Sequence, residues 1–539
     1  LAASEKQTKF NFVALLLLIG VFMAALDNGI ISAALTTINQ SFEIPPQMGA
    51  WGIAIYTLGM AVATPIAGKL ADMYGRKKVY MIEVVLFGVG SLLVALSPNY
   101  TFFIVARLVQ SLGGGGLFVI ASAHFISTYD RTKQGTMLGA LGAMNGIASV
   151  LGPNLGSILI KVTGTWHWLF LVNVPIAIFI IIFIGMKMSE SHRPVQKKMD
   201  TYAIIMFSLS TLLVMFAIYN IRAGDLISSM MRWSVIGLFV LAIIGYAIMI
   251  WIERRNEEKA VDAFLPYTLL RQPTFAVILI MGIFSGMLIG AIIFIPAFVE
   301  NILHVSSENS GFWLTPLALA SGVGASMGGK MVDRKGPVFA LIIASIISII
   351  GYGGLAYLTF SSLTFIVFSI VAGLGFGFTI GAPLTVLATR TAGAEDNHNN
   401  TVIATLSVSR QMGITIAPTL FATFIQLGFS KTVDQVTNML NINGYAFNDL
   451  SMKLQHKLES LNGSTYDVWQ YLSEQESTLL NQSVKQGLES TAHTAFMPVF
   501  LTAALGSLMI LILTIIFRKQ FLNVTQSLEI EEAIGDDPK

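Results

Sequence analysis

The 539 residues include no cysteine. That excludes disulfides, thiol catalysis and cysteine-ligated zinc or iron–sulfur centres. Charge is scarce too: Asp, Glu, Lys and Arg make up 12% of the chain, against about 25% in soluble domains. The seven histidines are scattered. No HExxH pair, P-loop or nucleophile motif accompanies them, so no enzyme and no cofactor are expected. A formal net charge of +2 says nothing of partners, and no nucleic-acid partner is expected.

What the chain has instead is apolar surface, with 54% hydrophobic residues and a mean hydropathy of +0.71. This is the composition of an integral membrane protein, long enough for a dozen or more spans of about 20 residues. The first apolar segment has full length and no small-residue cleavage site after it, so no cleavable leader is expected. Fourteen spans are read. Six lie at about 11–36, 48–71, 78–97, 102–127, 135–161 and 166–188, and two at about 201–221 and 230–253. The last six lie at about 273–303, 309–333, 338–360, 362–390, 399–428 and 494–517.

Charge bias tests that count. Alternate loops carry Arg76, Lys77 and Lys78, then Arg131 and Lys133, then Arg193, Lys197 and Lys198, then Arg254, Arg255 and Lys259, then Arg334 and Lys335, with Arg518 and Lys519 after the last span. The opposite loops at 39–47 and 97–100 have no Lys or Arg, and Arg222 and Arg232 are the main exceptions. The positive-inside bias puts the basic loops and both termini in the cytoplasm.

The run Gly68 to Lys78, GKLADMYGRKK, returns as Gly329 to Gly336, GKMVDRKG. The shared frame G-K-(L/M)-x-D-x-x-G makes the chain two related halves. The expected organisation is a six-helix bundle at 10–190, two linking transmembrane helices at 200–255, and a second six-helix bundle at 265–428 and 494–518. An outer helical hairpin is expected at 429–493, with Leu450, Leu454, Leu458 and Leu461 on one stripe and Val468, Leu472, Leu479, Val484 and Leu488 on another. Asn462-Gly463-Ser464 would be its turn. The segment at 519–539 is an acidic cytoplasmic tail, expected to be disordered from Glu529 onward.

An ionisable group near the bilayer centre costs about 2.5–3.5 kcal/mol, so each one needs a reason. Asp27 lies roughly 24 Å above the inner edge and Arg107 roughly 22 Å, so the two can pair, or be bridged by Gln110. Desolvation disfavours the Asp27 charge and Arg107 favours it, which fits a carboxylate that takes and releases a proton near neutral pH. A permanent ion pair that only orients two helices is the alternative. Arg410 lies near the midplane, either as a counter-charge to anionic substrate groups or as a donor to helix ends. Glu83 and His124 toward the cytoplasmic edge and Glu300 toward the outer edge are expected to be solvated or part of a gate network.

Span five carries Gly135/Gly139, Gly142/Gly146 and Gly152/Gly156, three small-xxx-small pairs beside the kink-forming Pro153, as a moving helix contact needs. Gly113 to Gly116, and Gly373, Gly375, Gly377 and Gly381, are similar.

Together these motifs resemble the major facilitator superfamily, and within it the fourteen-span drug:proton antiporters of the QacA and EmrB kind. Gly68 to Lys78 matches the superfamily's loop 2–3 signature, and Leu26-Asp27 with Ala33-Ala34-Leu35 resembles the group's helix 1 motif. Arg107-Leu108-Val109-Gln110 before Gly113 resembles the helix 4 proton-transfer motif. Gly152-Pro153-Asn154-Leu155-Gly156 is similar to the helix 5 antiporter motif, although Ser157 stands where a second Gly is usual. Trp166 to Pro175 resembles the start of helix 6. The resemblance implies two six-helix bundles rocking about a central cavity. It makes Gly68, Asp72, Gly75, Arg76 and Asp333 candidates for the conformational gate, and Asp27 and Arg107 candidates for proton coupling.

The expected function is proton-coupled antiport of hydrophobic or cationic drugs out across a bacterial cytoplasmic membrane, energised by the proton gradient alone. Asp27, Gln110, Asn145, Arg410 and Gln411 are the candidate cavity residues. The alternative is a lipid or glycolipid transporter on the same scaffold. The expected partners are the transported small molecule or lipid, protons and membrane lipids, with the chain acting as a monomer.

Overall fold

The computed structural model describes residues 11–44, 46–190, 201–222, 225–258, 264–358, 361–393, 399–459, 465–473 and 478–523. The tail from Glu529, the loop residues Arg193, Lys197, Lys198 and Lys259, and Leu461 with the Asn462-Gly463-Ser464 turn lie outside these residues.

The described chain is helical. It runs through α1 (Phe12–Ser41), α2 (Pro46–Tyr74), α3 (Arg76–Ala95), α4 (Tyr100–Gly114), α5 (Leu117–Thr128), α6 (Arg131–Thr163), α7 (Trp168–Leu171) and α8 (Asn173–Lys187). Then come α9 (Thr201–Tyr219), α10 (Leu226–Met230), α11 (Trp233–Glu258), α12 (Tyr267–Leu270), α13 (Pro273–Ile292), α14 (Ile295–Ile302) and α15 (Ser307–Ser310). The remainder is α16 (Thr315–Lys335), α17 (Pro337–Tyr357), α18 (Ser362–Ile380), α19 (Pro383–Thr391), α20 (Asn399–Phe429), α21 (Thr432–Ile442), α22 (Met452–Glu459), α23 (Tyr466–Ser473) and α24 (Leu479–Ile516). Among the described residues, twelve helices are long and apolar enough to cross a membrane, and thirteen if the bent α6 is counted. The protein is an all-α, multi-pass membrane protein.

Local chemistry sets the helix ends. Asn11 and Asn99 cap α1 and α4 through side-chain oxygens that accept from the amides of Ala14 at 2.8 Å and Phe102 at 2.9 Å. Gly75 and Gly336, the last glycines of the two motif copies, adopt φ of 96° and 82°. A side chain there would be strained, so each copy turns sharply from one helix into the next. Glycine runs also break helices. The span read at 102–127 divides at Gly115-Gly116 into α4 and α5, and that read at 362–390 divides at Gly381 into α18 and α19. The α6 helix bends by 43° between Ala148 and Leu151, just before Pro153.

Helices α1 to α8 pack on one another, as do α13, α16 to α20 and α24, and the closest joint between the two sets is α6 against α16. The α9 and α11 helices pair at the edge, where α9 rests on α2 and α20. The ends bearing Arg76, Arg131 and Arg334 form a basic end of the molecule; the described residues of the 429–493 segment lie at the other.

That segment is more than a hairpin. One small core joins Val436 and Leu440 of α21, Leu454 and Leu458 of α22, Val468 and Leu472 of α23, and Val484 and Leu488 of α24. The last helix therefore begins at Leu479, well before the expected 494, and its added turns form one wall of a four-helix cap. Leu479 itself is exposed. The cap is tied down where the Asn301 side-chain oxygen accepts from the Thr465 amide at 2.6 Å, and where His304 stacks on Trp469 with ring centroids 3.5 Å apart.

Candidate functional site

Four helices of the first set, α1, α3, α4 and α8, supply side chains to one buried polar cluster. Asp27 comes from the middle of α1, and Arg107 and Gln110 come from successive turns of α4. Asp27 is 1% exposed and Arg107 and Gln110 not at all. Arg107 Nη1 donates to Asp27 Oδ2 at 2.6 Å and to Gln110 Oε1 at 2.6 Å. Gln110 Nε2 donates to Asp27 Oδ1 at 2.8 Å and to Ser91 Oγ of α3 at 2.8 Å. Asn173, at the start of α8, donates to the same Ser91 hydroxyl at 3.3 Å. Arg107 Nε reaches the Gly52 carbonyl at 3.3 Å, and its guanidinium lies 4.2 Å from the Tyr56 ring centre and 5.6 Å from that of Phe170.

Sequence reading reaches the first three residues but misses Ser91, Asn173 and Tyr56. A lone Ser or Tyr in an apolar helix carries no signal. Asn173 does carry one, as a polar residue set between Val172 and Val174.

The arrangement gives Arg107 partners besides Asp27. With Asp27 ionised, the pair is neutral and both carboxylate oxygens are bonded. With Asp27 protonated, Arg107 still has Gln110 Oε1, the Gly52 carbonyl and the Tyr56 face to hold its charge.

Gly152 of the helix 5 motif couples this cluster to α6. A Cβ placed on Gly152 would sit 2.5 Å from Gly29 Cα, two residues beyond Asp27. The small pairs of α6 do not share one face: Gly135, Gly139, Gly142 and Gly146 meet α16 and Gly381, whereas Gly152 meets α1. Gly156 is buried and Pro153 half-buried. Gly152→Val is expected to cost about 1–3 kcal/mol by forced overpacking and to abolish transport, as thermal unfolding and a vesicle uptake assay would report.

At the basic end the two motif copies act in the same way. Asp72 of α2 accepts from the Asn400 side-chain amide and, at 2.9 Å, from the Thr401 hydroxyl, both in the first turn of α20. Asp333 of α16 accepts from the amides of Gly135 at 2.6 Å and Thr136 at 2.8 Å, and from the Thr136 hydroxyl at 2.5 Å, all near the start of α6. Each carboxylate thus holds the positive end of a helix belonging to the opposite helix set. Gly68 permits this closeness, since its Cβ would lie 3.0 Å from the Asn400 carbonyl oxygen. Arg76 donates to Ser127 of α5. Of the four donor residues on α6 and α20, sequence pattern singles out Gly135 alone, and as a packing glycine rather than as a partner of Asp333.

The other expected cavity residues are spread out. Asn145 is half-buried on α6, and Gln411 Nε2 lies 3.5 Å from the Thr57 carbonyl across the α2–α20 contact. Arg410 is 7% exposed, with its Nε and Nη2 buried and without a hydrogen-bond partner. Of the two positions expected of Glu83, solvated or in a gate network, it is not in the first: it is 6% exposed and its Oε2 accepts from the Gly116 amide at 2.8 Å. The break between α4 and α5 supplies that amide, so the carboxylate is held inside the protein. His124 is half-buried near the Arg76–Ser127 contact, and Glu300 is half-buried.

This geometry can be set beside known proteins. The sequence model of the Major Facilitator Superfamily matches residues 17–418. An uncharacterized MFS-type transporter of Bacillus subtilis, YfiU, is 44% identical over 96% of this chain and 99% of its own length. Multidrug resistance protein 3 of the same organism is 31% identical over 78% of this chain and 80% of its own. Among solved structures, the human organic anion transporter MFSD10 aligns with a TM-score of 0.55 at 12% identity, over 92% of this chain and 98% of that one. At such identity the likeness concerns the fold alone. The family match and the full-length relatives agree with the repeated loop motif: this protein is a transporter, not an enzyme, and belongs to the major facilitator superfamily.

Proposed function

We propose that this protein is a proton-coupled antiporter that exports hydrophobic, cationic compounds by alternating access across a bacterial cytoplasmic membrane. The observation that carries this reading is the buried Asp27–Arg107–Gln110 cluster, whose acid sits on α1 two residues before the point where Gly152 of α6 packs against that helix. Multidrug proteins among the relatives support the substrate class. In the resting state Asp72 and Asp333 latch the basic, cytoplasmic end. A proton reaching Asp27 from outside frees Arg107 from its ion pair, shifts α1 against α6 and biases the bundles toward opening inward. Release of that proton to the cytoplasm accompanies substrate binding.

The energetics are sufficient. A proton moving down 100 mV yields about 2.3 kcal/mol, which supports a gradient of roughly fiftyfold for a neutral compound. One proton against one monovalent cation moves no net charge, so the pH difference alone drives that exchange.

The reading includes fourteen spans, with both termini cytoplasmic. Beyond the thirteen counted above, the fourteenth is α16, whose 21 residues run alongside α6 and α18. Its glycines, serines and charged end lower its hydropathy, which a helix facing other helices rather than lipid can tolerate. The two six-helix bundles are then residues 10–190 and 265–428 with 494–518, linked by α9 and α11, as in the fourteen-span drug:proton group.

A lipid or glycolipid substrate is the second reading, favoured by the unpartnered buried nitrogens of Arg410, which suit an anionic headgroup. Inside-out vesicles with an acidified lumen separate the two. Export predicts that ethidium accumulates, that collapsing the pH gradient releases it, and that other cationic dyes compete. Failure to accumulate, with headgroup-dependent lipid movement instead, would favour the second.

A further inference from the structure

A lateral cleft of about 470 Å³ lies between α2, α3 and α4, apart from the Asp27 cluster. Its walls include Leu70 and Tyr74 of α2, Ile82 and Leu86 of α3 and Leu112 of α4. Tyr74, Ile82 and Leu112 are 53%, 57% and 37% exposed, so the cleft opens on the flank of the protein, toward lipid rather than toward the centre. Almost all of its lining is carbon. The wall residues that carry polar groups are Tyr74 and Lys78, both exposed, and the buried Glu83.

Glu83 lies seven residues beyond Arg76 on α3, roughly 10 Å from the basic end. Among the described residues its one hydrogen bond comes from the Gly116 amide to Oε2, which leaves Oε1 without a partner in a side chain that lines the cleft. Gly116 keeps that space: a Cβ on it would sit 2.9 Å from Glu83 Cδ. A carboxylate with one oxygen unpartnered in an apolar cleft is expensive unless a positive charge or a proton meets it. The cleft volume falls in the range of drug-sized sites, about 300–1,000 Å³.

The geometry points to a lateral binding site for a lipophilic cation, in which the apolar body fills the α2–α3–α4 cleft and the charge rests on Glu83. A cation dissolved in the leaflet next to the basic end reaches this site sideways, without passing through water. The inference rests on the export reading for its place in transport, but the binding it asserts can be tested separately.

The test is equilibrium dialysis of tetraphenylphosphonium against the purified full-length protein in nanodiscs. The variants are Glu83→Gln, which keeps an acceptor for Gly116; Ile82→Trp, which fills the cleft from its lipid-exposed side; and Asp27→Asn. The expected result is at least a tenfold loss of affinity in both Glu83→Gln and Ile82→Trp, with the Glu83-dependent binding kept in Asp27→Asn. Absence of binding to the parent overturns the proposal, as does parental affinity in either cleft variant. Loss in Ile82→Trp alone would mean an acyl-chain groove that ignores charge, which also overturns it. Because Ile82 faces lipid, that variant remains informative if Glu83→Gln fails to fold. If the cleft variants bind normally while gradient-driven export persists, only the cleft proposal fails. If Glu83-dependent binding holds but no export occurs, only the export reading fails.

Discussion

Arg107→Ala is expected to lower the stability of the purified protein by about 3–5 kcal/mol, the cost of stripping one partner from a buried ion pair. The size follows from burial. Arg107 is wholly buried and Asp27 nearly so, and Gln110 already spends its amide on Asp27 and Ser91. No water-exposed route is left to replace the guanidinium. Part of the loss is recoverable, because Asp27→Asn in the same chain removes the orphaned charge. The double variant should therefore be less destabilised than the sum of the singles, with a coupling of about 2 kcal/mol or more. Thermal unfolding in detergent measures both quantities. An Arg107→Ala protein as stable as the parent would mean that the pair is not held as described.

The second large effect concerns the latches. Asp72→Ala with Asp333→Ala removes two sets of charge-assisted bonds to helix starts, each set worth about 1.5–3 kcal/mol. Because both act on the same closed end, their loss should shift the closed-to-open balance at that end by more than tenfold. The natural absence of cysteine makes this easy to read. A single cysteine introduced as Asn145→Cys on α6, between the helix sets, reports access from the basic side with a membrane-impermeant maleimide. Labelling in the double variant should rise at least severalfold over the single-cysteine parent, with either single Asp variant in between. Unchanged labelling would show that the two carboxylates do not hold that end shut.

How much of this could be read beforehand differs from residue to residue. Asp27 and Arg107 were legible because a helix converts residue number into depth at a fixed rise, and two charges at one depth in lipid have few reasons to be there. The two G-K-x-x-D-x-x-G copies were legible as turns. Their carboxylates' partners, Asn400 and Thr401 on one side and Gly135 and Thr136 on the other, were not, since those contacts join positions 328 or 329 and 197 or 198 residues apart. That Glu83 is buried rather than solvated was not legible for a related reason. Its depth near the basic end allows a solvated site, and only the break at Gly115-Gly116 supplies the amide that keeps it inside. The same glycines read as a packing surface along one helix, although their lack of a side chain also let the helix divide. The outer segment shows two stripes in sequence because Leu and Val recur there at helical spacing. Nothing in that spacing shows that α24 runs on past the membrane and lends Val484 and Leu488 to the same core.

The most direct test of proton coupling at Asp27 is ethidium uptake into inside-out vesicles with an acidified lumen, comparing the parent with Asp27→Asn. Asparagine keeps the shape and a hydrogen-bonding oxygen for Arg107 but cannot carry a proton. The account predicts gradient-driven accumulation by the parent and none by the variant, with ethidium still bound by both when no gradient is imposed. Accumulation by Asp27→Asn at the parental rate, still released on collapsing the pH gradient, would place the coupling elsewhere and contradict the account.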